Sequence, residues 1–111
     1  MTKPLHLGAV TIARRLPTRI VGLMGKRHVG TIPILFPRCS SIHTYFMRVP
    51  VDVLCLDRHN KIVRLLENVR PWRVVFGGRA TRSILEAQRG YSRLHRLVVG
   101  KYVEYVEWKG F

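Results

Sequence analysis

Acidic residues are scarce in this chain. Six Asp and Glu stand against twenty Lys and Arg among 111 residues, a formal net charge of +14. No acid precedes Asp52, so Lys3, Arg14, Arg15, Arg19, Lys26, Arg27, Arg38 and Arg48 have no balancing charge in the first 51 residues. Such a surface attracts polyanions: RNA, DNA or an anionic membrane face. The plainer reading is a generally basic protein with solvated charges, because Arg far outnumbers Lys and GC-rich coding produces that bias unaided. Cysteine is also sparse, with only Cys39 and Cys55. In a small secreted domain such a pair suggests one bridge. Here no leader pattern precedes them: the weakly apolar stretch Pro4 to Ala13 is followed by Arg14-Arg15, the reverse of a secretory signal. No run approaches the ~18 apolar residues of a membrane span. A cytoplasmic protein with reduced thiols is therefore expected. Catalytic signatures are missing as well. There is no GxSxG, P-loop or GxGxxG, and Gly77-Gly78 is followed by Arg79 rather than by a phosphate-loop lysine. The chain leans away from enzymes, and no cofactor is implied.

What is present is a globular composition, 47% hydrophobic, with Val, Ile and Leu spread along the chain. Its length predicts one domain over residues 1–111. Residues 7–13 read as a first strand. Leu16-Pro17-Thr18 opens a short helix to about Met24, with Pro in the first turn and Gly25 as a C-terminal cap. Ile32 to Phe36 is a short strand in which Pro33 marks an edge or a start. Val51–Asp57 and Lys61–Glu67 form the clearest hairpin, closed by Arg58-His59-Asn60, where Asn60 suits a left-handed conformation. In its first arm Val51, Val53 and Cys55 face one way and Asp52, Leu54 and Leu56 the other. Both faces are mostly apolar, which predicts a central strand. Further strands are expected at Val74–Phe76, over residues 82–87 and at Lys101–Trp108, with a helical turn from Gly90 to about Leu97. Many short strands and few helices predict a mainly β, sandwich- or barrel-like domain with one or two short helices.

Residues 39–52, CSSIHTYFMRVPVD, carry most of the chemistry. Cys39, His43 and Met47 stand at steps of four, a thiolate, imidazole and thioether set suited to copper or zinc. On a helix they would share a face. The sequence instead favours extended chain, where each step of four spans about 13 Å, too far for one ion without a turn. Asp52 is the more physical clue, since a carboxylate among apolar strand residues costs several kcal/mol, by order of magnitude, unless paired or hydrogen-bonded. His43 or Arg48 is the expected partner. Glu86, in SILEA, poses the same question. Either each acid accepts local hydrogen bonds and holds loops, or His43, Thr44, Asp52 and Glu86 converge on one polar pocket. Aromatic residues among basic ones in Arg70-Pro71-Trp72-Arg73 and Arg89-Gly90-Tyr91-Ser92-Arg93 fit nucleic-acid binding loosely. Trp72 reads more simply as a core anchor.

Four ordered segments resemble the family known as domain of unknown function 192. RIVGLMGKR (Arg19–Arg27) is similar to its R-x-x-GLM-x-R. IHTYFMRVPVDVLCLD (Ile42–Asp57) is similar to its HT-x-x-M-x-x-P-[IV]-D-V segment. KIVRLLENVRPWR resembles its PWR segment, and SILEAQRGYSRLHRLVVGKYV its LE…G close. The matching signature residues are Gly22, Leu23, Met24, His43, Thr44, Met47, Pro50, Asp52, Leu85, Glu86, Gly90 and Gly100, with a family-like core over residues 13–103. Departures include Cys55 in place of Phe, Lys101 in place of Asp, and Gln88-Arg89 before Gly90. The resemblance implies a compact β-rich domain and no established activity, cofactor or partner. Three functions follow, in order: a binding domain using the His43, Thr44, Asp52 and Glu86 cluster; a polyanion-binding module; and a soft-metal protein using Cys39, His43 and Met47. The sequence names neither ligand nor oligomeric state.

Overall fold

A computed structural model describes residues 3–13, 32–45 and 47–109. The helix expected from Leu16 to Met24, with Gly22, Leu23 and Met24, lies outside the described residues. Among the described residues eight strands and one short helix follow in order: β1 (Leu5–Ile12), β2 (Ile34–Pro37), β3 (Ser41–His43), β4 (Val51–Leu56), β5 (Ile62–Val69), β6 (Val74–Phe76), β7 (Ser83–Gln88), α1 (Tyr91–Leu94) and β8 (Val103–Glu107). Six strands form one mixed sheet in the order β5-β4-β7-β2-β1-β8, and β3 and β6 form a second, two-stranded sheet. The β2 strand begins directly after Pro33, as the missing N–H of proline requires of a strand embedded between two neighbours.

The large sheet closes on itself. Its two outermost strands meet where Ile62 N–H donates to Lys101 O (2.8 Å), Gly100 N–H to Ile62 O (2.8 Å) and Val103 N–H to Asn60 O (2.9 Å). Lys61 and Tyr102 bridge at the same place. The expected barrel-like form is thus reached by joining β5 to β8, which leaves neither edge open there. Inside lie Leu7, Val10, Leu35, Leu54, Leu56, Ile62, Leu85, Ala87, Tyr91, Leu97 and Val103. On the outer face a second apolar cluster includes Phe36, Val51, Val53, Cys55 and Ile84, and the small sheet covers it with Ile42 and Val75. β4 is buried at all six positions, with its alternate side chains in different clusters, as a strand covered on both faces demands.

The β4–β5 connection is built by its own residues. Asn60 adopts φ 63°, the left-handed conformation. Asp57 Oδ1 accepts the N–H groups of His59 (2.8 Å) and Lys61 (3.0 Å). Desolvation opposes the Asp57 charge, but these two donors, with the charges of His59 and Lys61, hold its pKa below the usual value of 3.8. A depressed carboxylate pKa adds stability above the unfolded-state value, and that stability is lost as pH falls through the folded-state value. Asp57→Asn should therefore lower the urea midpoint at pH 7, and the gap from wild type should close as pH falls below about 4. An unchanged gap at pH 3 would show that the loop carboxylate is not the group responding. Among the described residues no helix is long and apolar enough to cross a membrane.

Candidate functional site

Asp52 organises one end of the barrel. It pairs with Ala87 across β4–β7 and shares the inward face with Leu54 and Leu56. It is 1% exposed. On its other side the β4–β5 register shifts between Val51↔Val69 and Val53↔Leu66. That bulge sets both Glu67 and Asn68 opposite Asp52, and Asn68 takes φ 57°. The Asn68 N–H turned inward by the bulge donates to Asp52 Oδ1 at 3.0 Å.

The other carboxylate oxygen binds the start of α1. Gly90 N–H (3.2 Å), Ser92 N–H (3.0 Å) and the Ser92 hydroxyl (3.0 Å) all reach Asp52 Oδ2. The first N–H groups of a helix have no partner within it, and Gly90, at the N-cap, offers no side-chain cap. Asp52 supplies that cap from a distant strand, with the negative charge that suits a helix start. Gly90 has φ 90°, which explains a glycine at this turn. The Ser92 hydroxyl also lies 2.7 Å from Glu67 Oε2. Its single proton serves one carboxylate at a time. Beside it Tyr91 packs into the interior with its ring 4.2 Å from that of His95. Burial pushes its phenol up to about 12, so it stays neutral.

Above this framework is a cleft of about 310 Å³ lined by Asp52, Glu67, Asn68, Arg89, Gly90 and Arg93. A second cleft of about 330 Å³, lined by Val49, Pro50, Val51, Gln88 and Arg89, shares Arg89 with it. Both arginines are exposed, and neither makes an ion pair among the described residues. The mouth therefore offers two guanidinium groups, an exposed carboxylate and an apolar wall.

The residues singled out in the sequence do not converge. Glu86 pairs with Val53 on β4 and with Ile34 on β2, one position from the Asp52↔Ala87 pair. Strand alternation puts it on the opposite face of the sheet from Asp52. It is fully buried on the side of Val53 and Ile84. His43 pairs with Val74 in the small sheet, on the face turned away from Ile42 and the core. The expected partners of Asp52, His43 and Arg48, are not among the groups bound to it. Thr44 is fully buried and acts locally, its Oγ1 donating to Arg70 O (2.7 Å) and accepting from Arg73 N–H (2.9 Å).

The soft-metal set is divided likewise. Met47 packs in the cluster with Ile42 and Val75, whereas His43 faces the other way. The Cys39 thiol donates to Ser41 O at 2.9 Å. Cys55 is buried, and desolvation pushes its thiol up, against the opposing charge of Arg64. Trp72 is not a core anchor. It is 59% exposed, because the backbone turns there with φ 64° and directs the ring outward. Sequence reasoning missed Glu67, Asn68, Ser92, Arg89 and Arg93 as one group. The available signal was a second acid and an asparagine side by side near the end of the hairpin arm opposite Asp52.

The DUF192 family model, described as an uncharacterised ACR, matches residues 2–105. A UPF0127 protein of Pyrococcus abyssi is 28% identical over 103 residues, covering 89% of this chain and 87% of its own. One from Pyrococcus horikoshii is 29% identical over 105 residues, covering 91% and 88%. Two solved structures share the fold. A protein of unknown function from Novosphingobium aromaticivorans has a TM-score of 0.68 at 18% identity, covering 80% of this chain and 69% of that one. A candidate transcription regulator from Sinorhizobium meliloti has a TM-score of 0.71 at 21% identity, covering 82% and 76%.

Proposed function

The chain belongs to the DUF192 family, and from that premise we propose that it is a non-enzymatic binding domain whose ligand seats at the barrel mouth. The carrying observation is the pair of clefts that meet at Arg89, above a framework locked by Asp52. Each has the volume of a small-metabolite site, and barrel mouths are common places for one. Arg89 and Arg93 suit a carboxylate or phosphate. Glu67 suits a hydroxyl or amine, and Val49, Pro50 and Val51 suit an apolar stretch between them. A small hydroxylated or amino-bearing anion fits this set. Asp52 supports a structural place beneath the ligand: three backbone N–H groups bind its oxygens and tie it to the β5 bulge and the start of α1.

Thermal melts with millimolar 2-hydroxyisovalerate and glycerol 3-phosphate test the reading. Ligand at ~100 times its Kd adds about 2.7 kcal/mol of apparent stability, so at least one of the two should raise the midpoint by several degrees. The rise should vanish in Arg89→Ala/Arg93→Ala and persist in Arg79→Ala, which removes an exposed arginine outside both clefts. A flat response in wild type, or an undiminished rise in the double variant, would count against a ligand at this mouth.

A further inference from the structure

The small sheet carries a surface that the barrel mouth does not explain. In the β3–β6 pair, Ile42 and Val75 face the core, so Ser41, His43, Val74 and Phe76 form the outer face. There Phe76 is 67% exposed and Val74 47%. Beyond the end of the pair the row continues through Tyr45, whose ring lies 4.6 Å from His43 and 5.4 Å from Trp72. Trp72 extends the row with its exposed indole.

This arrangement is held at a cost. A bulky residue with φ near +60° is strained and persists only where its surroundings over-determine it. Thr44 does so here. Its carbonyl accepts Trp72 N–H (3.1 Å), its N–H donates to Arg73 O (2.8 Å), and its hydroxyl joins Arg70 O and Arg73 N–H. A fully buried threonine thus fixes the turn that shows this indole to solvent.

The segments that build the row carry charge of one sign. Arg48, Arg70 and Arg73 are exposed, and Arg64 donates to the Phe76 carbonyl at the far end. No acid occurs in residues 1–51 or between Glu67 and Glu86. Exposed aromatic faces interleaved with guanidinium groups are the chemistry that stacks bases and neutralises phosphates. We propose that the outer face of the β3–β6 sheet, with Tyr45, Trp72 and Phe76 as stacking platforms and Arg48, Arg70 and Arg73 as phosphate contacts, binds single-stranded nucleic acid. A single strand fits better than a duplex, because unpaired bases offer their faces to a row of rings. The one helix among the described residues has four residues, too short to read a groove.

Fluorescence anisotropy of labelled mixed-sequence 12-mers of RNA and DNA, single-stranded and duplex, tests this with the full chain. Trp108→Phe serves as background, so that the remaining tryptophan fluorescence reports Trp72. Single strands should bind more tightly than duplexes and should quench Trp72. With three phosphates neutralised, affinity should fall roughly 20-fold between 50 and 200 mM salt. Trp72→Ala should weaken binding about 5- to 150-fold, the range for loss of one stacked base, and Trp72→Phe should recover much of it. Phe76→Ala, at an exposed residue, should also weaken binding while leaving the circular-dichroism spectrum unchanged. Arg89→Ala/Arg93→Ala should leave strand binding largely unchanged, which separates this surface from the barrel mouth. The proposal is overturned by absent binding at 50 mM salt, by equal affinity for duplex, by an acidic peptide of equal length binding as tightly, or by Trp72→Ala binding as wild type.

Discussion

Asp52→Ala should lower the melting midpoint by roughly 12–25 °C. The substitution strands the buried N–H of Ser92 and the half-buried N–H groups of Asn68 and Gly90, and removes an acceptor of the Ser92 hydroxyl. Hydrogen bonds to a charged group contribute about 1.5–3 kcal/mol each, and a buried donor left unsatisfied costs about 1–3 kcal/mol. With partial relaxation and entry of water, a total of roughly 3–5 kcal/mol follows. In a domain of this size 1 kcal/mol moves the midpoint by about 4–5 °C. Asp52→Asn should also be strongly destabilising. Its amide retains one acceptor oxygen and turns an NH2 donor toward groups that themselves donate. Circular-dichroism melts of both variants decide the matter. A loss below about 3 °C in Asp52→Ala would mean that Asp52 does not hold the bulge and α1 together. Hydrogen exchange should localise the damage, with faster exchange at Asn68, Gly90 and Ser92 and little change at Asn60.

The second large effect is expected at Thr44. Thr44→Val keeps the shape but removes the hydroxyl that joins Arg70 O and Arg73 N–H. Both backbone groups then lose their partner beside a fully buried side chain, at a cost of roughly 2–4 kcal/mol. Because that hydroxyl steadies the strained Trp72 turn, Thr44→Val should also change Trp72 emission in the Trp108→Phe background. Thr44→Ser should restore most of the stability and the emission. A destabilised Thr44→Val protein with unaltered Trp72 emission would show that the clamp serves packing alone.

Much of the fold was legible from periodicity. The Val51–Asp57 and Lys61–Glu67 arms, the left-handed Asn60, the two-sided burial of β4 and the helical turn after Gly90 all follow from short-range rules. Such rules work here because alternation and turn chemistry act within a few residues. The site was less legible. Asp52 was conspicuous as a carboxylate in an apolar strand, but its partners come from Asn68, Gly90 and Ser92, up to 40 residues away. Main-chain N–H groups belong to every residue type but proline, so no residue letter marks these donors. Local likeness misled in two places. Asp52 and Glu86 look alike as acids in apolar strands, yet a one-residue offset in the β4–β7 register sends them to opposite faces. Cys39, His43 and Met47 keep their steps of four, but β3 ends at His43 and the chain turns before Met47.

The sequence by itself determined the basic charge, the β-rich class, the family and the position of the buried acid. Those properties belong to composition, short-range patterning and ordered motifs. Only the tertiary structure decided what the acid holds and where chemistry can occur. A bulge in β5, the closure of β5 onto β8 and the outward turn at Trp72 each depend on register and long-range hydrogen bonds. They set Glu67, Arg89 and Arg93 around one mouth and an aromatic row on another face, because side chains distant along the chain become neighbours only when the sheet is formed.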